Sequence, residues 1–183
     1  MINRAIFFAA KAHEGSVRKG TSIPYIIHPL EAMAIVATIT SDQELMIAAV
    51  LHDIIEDTCV TIDDVRREFG DRVAALVDAE TVRDVEGVPH IESWQQRKQT
   101  AIDHLASASR DVQIVALGDK LSNMRAMANG YRQLGDRLWD RFNVKDPERH
   151  AWYYRGLVKS LATLNDTAAF HEFAGLVEQV FTR

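Results

Sequence analysis

The sequence predicts an all-α protein on three observations. Apolar residues recur at helical spacing along most of the chain, strand-like alternation is nearly absent, and Pro and Gly stand at the ends of the periodic stretches. The 183 residues suit one domain of roughly 100–200 residues, so a single compact helical bundle of about eight to ten helices is expected over residues 1–183. With 47% hydrophobic and 26% charged residues the chain can bury a core, which excludes disorder as its dominant state.

Each element follows from local signals. The opening segment places Ile6, Phe7 and Ala10 on one stripe and stops at Gly15, after which GSVRKGTSIP reads as a loop carrying Arg18 and Lys19. Pro29 suits the first position of a helix, which puts His28 at the N-cap of a segment running to about Ile39. Ser41 with Glu44 forms a capping box for the next helix, which contains HDIIED and ends near Thr58. Thr61 with Asp64 opens another, closed by Gly70. Residues 71–80 read as a helix, 81–90 as a loop with Gly87 and Pro89, and 91–107 as an amphipathic helix. From Asp111 to Ala128 the residues Ile114, Leu117, Leu121, Met124 and Ala128 form one stripe while Val112 and Val115 lie on the other side, so this helix is central. Asp119 falls on that second side. Residues 147–164 and 167–181 give two further helices, with Pro147 at the start of the first and Asp166 or Asn165 capping the second.

Charge and cysteine usage narrow the function classes. The net charge of −5 argues against a general nucleic-acid binder, whose affinity comes from Lys and Arg neutralising phosphates. Residues 41–93 hold 14 acids against 4 bases, residues 120–159 hold 9 bases against 4 acids, and residues 1–30 hold 4 bases against 1 acid. Acidic metal ligands and basic phosphate contacts can therefore come from separate segments. No apolar run or leader-like N-terminus points to a membrane, so a soluble, cytoplasmic protein is expected, and self-association into a homo-oligomer is left open. Cys59 is the single cysteine, so any metal must be held by His, Asp or Glu.

The densest polar cluster is His52, Asp53, Glu56 and Asp57 in AAVLHDIIED. At about 100° per residue, one continuous helix brings all four to one side. Like charges at that spacing oppose each other, which a divalent cation would compensate. His52 and Asp53 leave a wholly apolar run, where an unpaired carboxylate is costly, and Asp119 has the same problem. Neither Lys120 nor Arg125 lies on the face of Asp119, so neither is expected to pair with it. With His28 at its proline corner, these side chains supply two imidazoles and two carboxylates, a set that suits manganese, iron or zinc.

His28, His52-Asp53 and Asp119 resemble the H…HD…D pattern of the HD-domain phosphohydrolases, an all-α superfamily. AHEGSVRKG, PYIIHPLEA, AAVLHDIIEDT, DDVRREFGDRVAALV and GDKLSNM are similar, in order and spacing, to successive motifs of the alarmone hydrolase domain of RelA/SpoT homologues, over residues 5–127. ERHAWYYRGLV resembles the closing helix of the small alarmone hydrolases. The resemblance implies Mn2+ held by His28, His52, Asp53 and Asp119, and removal of the 3′-pyrophosphate from guanosine tetra- or pentaphosphate (ppGpp or pppGpp). It implies that Glu56 and Asp57 orient the attacking water and manage its proton. It further implies that Arg18, Lys19, Asn123, Arg149 and Tyr153 bind the nucleotide; His13 also matches, without a role. Thr81 is followed by Val82 where many members carry Lys, Gly118 stands where Ala is more usual, and GTSI lengthens the loop after Lys19. Two competing readings are an HD-type hydrolase of another phosphorylated nucleotide, such as an adenosine alarmone or NADPH, and a noncatalytic nucleotide sensor.

Overall fold

The computed structural model describes residues 1–81 and 92–182, and among these the regular secondary structure is helical apart from one isolated antiparallel bridge between Val17 and Pro24. Helix α1 (Ile2–Ala12) is followed by the loop that this bridge pinches shut. Next come α2 (Ile27–Ala37), α3 (Gln43–Leu51), a single turn α4 (Ile54–Asp57), α5 (Ile62–Phe69) and α6 (Asp71–Glu80). Then follow α7 (Trp94–Ser107), α8 (Arg110–Leu134), a 3-10 segment (Gly135–Arg141), α9 (Pro147–Ser160) and, after a short 3-10 turn, α10 (Ala168–Phe181). The loop expected over 81–90 and the Val82 position fall outside the described residues, except for Thr81.

Helix α8 is the axis of the bundle. It packs against α2, α3 and α6 on one side and α10 on the other, and Ile114, Val115, Leu117, Leu121 and Met124 are all buried. The helix is central, as expected, and longer than the stripe from 111 to 128. Its N-cap Ser109 accepts from the Val112 N–H, and the Thr61–Asp64 capping box of α5 forms in both directions. Such caps are worth about 1 kcal/mol each.

Several local expectations are corrected. The buried stripe of α1 is Ala5 and Ala9, and Phe7 is 73% exposed, because the contact with α3 selects the small residues for close approach. Helix α2 begins two residues early, so His28 lies inside its first turn and Pro29 at the third position, where a missing N–H still leaves no intrahelical bond unmade. Asp42 rather than Ser41 caps α3, and Thr167 rather than Asp166 or Asn165 caps α10. The helix carrying HDIIED is broken: α3 ends at Leu51 and α4 starts at Ile54. The His52 Nδ1–H donates to the Ala49 carbonyl at 2.8 Å, the acceptor that a continuing helix would offer to the Asp53 N–H. Both residues keep near-helical dihedrals, so the kink turns the cluster without dispersing it.

Gly118 has a packing reason. A Cβ there would lie 2.8 Å from the Ala32 carbonyl oxygen and 2.9 Å from a Val36 methyl, so glycine lets α8 approach α2 where Asp119 and His28 face each other. We expect Gly118→Ala to lower stability in urea titration by about 1–2 kcal/mol, since overpacking against backbone outweighs the gain in helix propensity. Stability equal to wild type would mean that α2 gives way freely.

Candidate metal centre

Three elements converge. Helix α2 supplies His28, the kink after α3 supplies His52 and Asp53, and α8 supplies Asp119; His28, His52 and Asp119 are 3%, 2% and 6% exposed. The two Nε2 atoms stand 3.2 Å apart. Asp53 Oδ2 lies 2.9 Å from His52 Nε2 and 3.3 Å from His28 Nε2, and Asp119 Oδ1 lies 3.5 and 3.2 Å from the same two atoms. Donor atoms of His28, His52 and Asp119 all fall within 4.8 Å of one another, a group that could hold a metal ion.

The outer hydrogen bonds determine what the inner atoms offer. Because the Ala49 carbonyl can only accept, His52 carries its proton on Nδ1 and presents a bare Nε2. Ser122 Oγ donates to Glu31 Oε2 at 2.7 Å and therefore accepts from His28 Nδ1 at 2.8 Å, which bares the other Nε2. Two lone pairs 3.2 Å apart beside two carboxylates repel unless a proton or a cation lies between them. Burial alone would lower the His52 pKa, but Asp53 and Asp119 outweigh it and hold it well above 6.5. The same exchange, with Lys120 added for Asp119, holds both carboxyls below the usual range despite their burial. Nitrogen and oxygen ligands bound at about 2.0–2.2 Å at tetrahedral or octahedral angles stand roughly 3–3.5 Å from each other, which is the spacing of these pairs. His28, His52 and Asp119 fit a divalent metal with two nitrogen donors and one oxygen donor, and Asp53 Oδ2 stands beside both imidazoles.

Lys120 corrects one expectation. Its ammonium binds Asp119 Oδ2, reaching around the helix on a flexible stem that a face-by-face reading ignores. Glu80 stands 4.0 Å from that ammonium, and burial pushes its carboxyl up to about 7 even with Lys120 nearby. On the other oxygen, Asn123 Nδ2 donates to Asp119 Oδ1, while Asn123 Oδ1 accepts from Arg18 at 2.7 Å. Arg18 is thus joined to the centre through Asn123. Lys19 donates to Asn143 at 2.8 Å, and both basic residues line a cavity of about 840 Å³ that opens beside His28.

The remaining expected residues separate into two groups. Tyr25 donates its one hydroxyl proton to Asp53 Oδ2 at 2.5 Å, and the Asp57 carboxylate is close enough to act on the same hydroxyl, which puts Asp57 near the centre. Burial and these two carboxylates push the Tyr25 pKa far upward and keep it a neutral donor. Glu56 and Asp57 form the exposed end of α4, whose Ile54 is buried. Arg149 and Tyr153 lie elsewhere: the Arg149 guanidinium sits 5.0 Å over the Trp94 ring, and buried Tyr153 packs beneath Lys98 on the Lys120 side of Asp119. Neither lines the cavity by His28.

Sequence reasoning missed the supports. Arg125 grips Glu172 of α10 with Nε and Nη2 at 2.6 and 2.7 Å and reaches Glu31 with Nη1 at 3.1 Å, so α10, α8 and α2 together hold the Glu31–Ser122–His28 chain. Ser122 stood in view, one turn after Asp119, whereas nothing local marks Glu31 or Glu172. His13, buried beside Tyr25 with ring centroids 4.9 Å apart, has no hydrogen-bond partner on either nitrogen among the described residues.

Comparison with known proteins agrees with this architecture. The chain is 34% identical over 131 residues to a guanosine-3′,5′-bis(diphosphate) 3′-pyrophosphohydrolase of Aquifex aeolicus, covering 69% of this chain and 18% of that one. It is 38% identical over 128 residues to a GTP pyrophosphokinase of Streptomyces coelicolor, covering 69% of this chain and 14% of that one. The chain thus spans less than a fifth of the length of these relatives. The structure of a metazoan ortholog of SpoT that hydrolyses ppGpp superposes with a TM-score of 0.77 at 24% identity, covering 97% of this chain and 94% of that chain, and shares its fold. No helix among the described residues is long and apolar enough to cross a membrane. Residues 5–141 match the HD domain family, and since this stretch is most of the chain and contains all four converging side chains, the protein belongs to that family.

Proposed function

We propose that this chain, as a single domain over residues 1–183, is a cytoplasmic metal-dependent phosphohydrolase that removes the 3′-pyrophosphate of guanosine tetra- or pentaphosphate, yielding GDP or GTP and pyrophosphate. The observation that carries the reading is the convergence of the four donors beside a cavity entered by Arg18 and Lys19. The names of the Aquifex relative and of the metazoan SpoT ortholog support this substrate.

In this reading His28, His52, Asp53 and Asp119 hold the metal, and their mixed donor set suits Mn2+. A divalent metal bound there lowers the pKa of water and polarises a phosphoryl oxygen. The protein's own residues perform the rest. Lys120 and Asn123 fix the two oxygens of Asp119, and the His28–Ser122–Glu31 chain fixes one imidazole. Asp57, beside the Tyr25 hydroxyl, and Glu56 accept the proton of the attacking water, a role open to carboxylates at such a centre. Arg18, Lys19 and Asn123 orient the nucleotide, offsetting the acidic segment 41–93. Tyr153, on the Lys120 side, and Arg149, over Trp94, are assigned contacts to its ring and phosphate from outside the His28 cavity.

Incubating Mn2+-loaded protein with guanosine tetraphosphate and identifying the products tests the reading. Pyrophosphate and GDP are expected. Orthophosphate would instead mean cleavage of a terminal phosphoanhydride, and intact nucleotide would overturn this substrate; orthophosphate released from a phosphomonoester such as NADPH would then assign the other hydrolase reading, and binding without turnover a sensor.

A further inference from the structure

The cavity beside His28 carries more positive charge than its walls neutralise. Arg125 is committed to Glu172 and Glu31, but among the described residues the side chains of Arg18 and Lys19 hydrogen-bond only to neutral amide oxygens of Asn123 and Asn143, with Arg18 also 5.7 Å over the Tyr25 ring. Arg141, at the end of the 3-10 segment, is a fourth cation on the wall. It is half-buried, yet its guanidinium makes no hydrogen bond or ion pair among the described residues. The carboxylates on its own segment are occupied elsewhere, Asp140 by Lys145 at 3.4 Å and Asp136 by Tyr131 at 3.5 Å.

Arg141 is also positioned. Gly20 has φ +69, and a Cβ there would lie 2.8 Å from Arg141 Cγ, so the stem of Arg141 rests on a position where only glycine fits both the backbone and the contact. An arginine whose stem is packed and whose five donors have no acceptor among the described residues is prepared for a bidentate anion. The Arg141 Nη1 lies 3.8 Å from the place of a Cβ at Gly130, about three helical turns along α8 from Asp119. A ligand with one compact anionic group cannot reach both ends of the cavity.

We propose that Arg141, with Lys19, forms a second anion subsite that takes the 5′-phosphates of a nucleotide whose 3′-phosphates lie at the metal centre. The nucleotide assignment rests on the function proposed above; the anion subsite rests on the cavity. It makes Arg141 a specificity residue for the 5′ end, distinct from the groups that touch the reacting phosphorus.

The test uses Arg141→Gln, which keeps the stem on Gly20, and Arg141→Lys, which restores charge without the fork. Calorimetric titration of the Mn2+-loaded protein with guanosine 5′-diphosphate and with guanosine gives a ratio of Kd values. Kinetics on guanosine tetraphosphate and guanosine 3′-diphosphate give the matching ratio of kcat/KM. Loss of a charge-assisted, bidentate contact should cut both ratios about ten- to a hundredfold in Arg141→Gln, with partial recovery in Arg141→Lys. Ratios equal to wild type in Arg141→Gln would overturn the subsite. Inorganic pyrophosphate binding as tightly as guanosine 5′-diphosphate, with the same dependence on Arg141, would overturn the nucleotide assignment in favour of a free anion. Absence of turnover by wild type would remove the proposed function alone, and the Kd ratio would still decide Arg141.

Discussion

Asp119→Asn is expected to lose metal while remaining folded. Asp119 Oδ1 faces both imidazoles, at 3.2 and 3.5 Å, so an amide there removes the charge that brings a cation to α8. Asn is chosen over Ala because Lys120 and Asn123 both contact this side chain, and an empty position would leave a buried ammonium without its partner. Metal affinity, measured by competition with a chelating dye, should fall by more than the roughly 10–100-fold typical of outer supports. Ser122→Ala, which removes only the support of His28, gives that internal reference in the same assay. If Asp119→Asn bound metal no more weakly than Ser122→Ala, Asp119 would be a structural partner of Lys120 and not a ligand.

The second large effect separates proton handling from metal binding. Asp57→Asn and Glu56→Gln keep size and leave the four donors in place, but remove an acceptor from the exposed turn beside Tyr25. Metal content should match wild type while kcat on guanosine tetraphosphate falls about 10²–10⁴-fold in at least one variant, the usual worth of a general base. Asp57→Asn should show the larger loss, because the Asp57 carboxylate lies near the Tyr25 hydroxyl that binds Asp53. A loss below about threefold in both would make these carboxylates solvated helix-end residues and move the base elsewhere. KM reported beside kcat separates loss of turnover from loss of substrate.

Much of the site was legible because its signals are local. His52 and Asp53 are adjacent and Asn123 lies one turn after Asp119, so helical spacing alone marked them as neighbours. The Thr61–Asp64 capping box and the central character of α8 were equally readable, since caps and stripes are settled within a few residues. Boundaries were less so. The kink at His52 comes from a side chain competing for the Ala49 carbonyl, and no periodicity reveals that competition.

What the sequence by itself determined is the all-α class, the donor types available for a metal and the segregation of acids from bases along the chain. Tertiary structure decided which donors meet. Arg18 joins Asn123 across 105 residues, Ser122 joins Glu31 across 91 and Arg125 joins Glu172 across 47, pairings set by how α2, α8 and α10 pack. Packing also put Arg149 and Tyr153 beside Trp94 and Lys98, away from the His28 cavity, and placed Arg141 there instead. The physical reason is range: hydrogen bonds within a helix act between neighbours in sequence, whereas a binding cavity is assembled from helix faces whose contact is chosen by burial of the whole core.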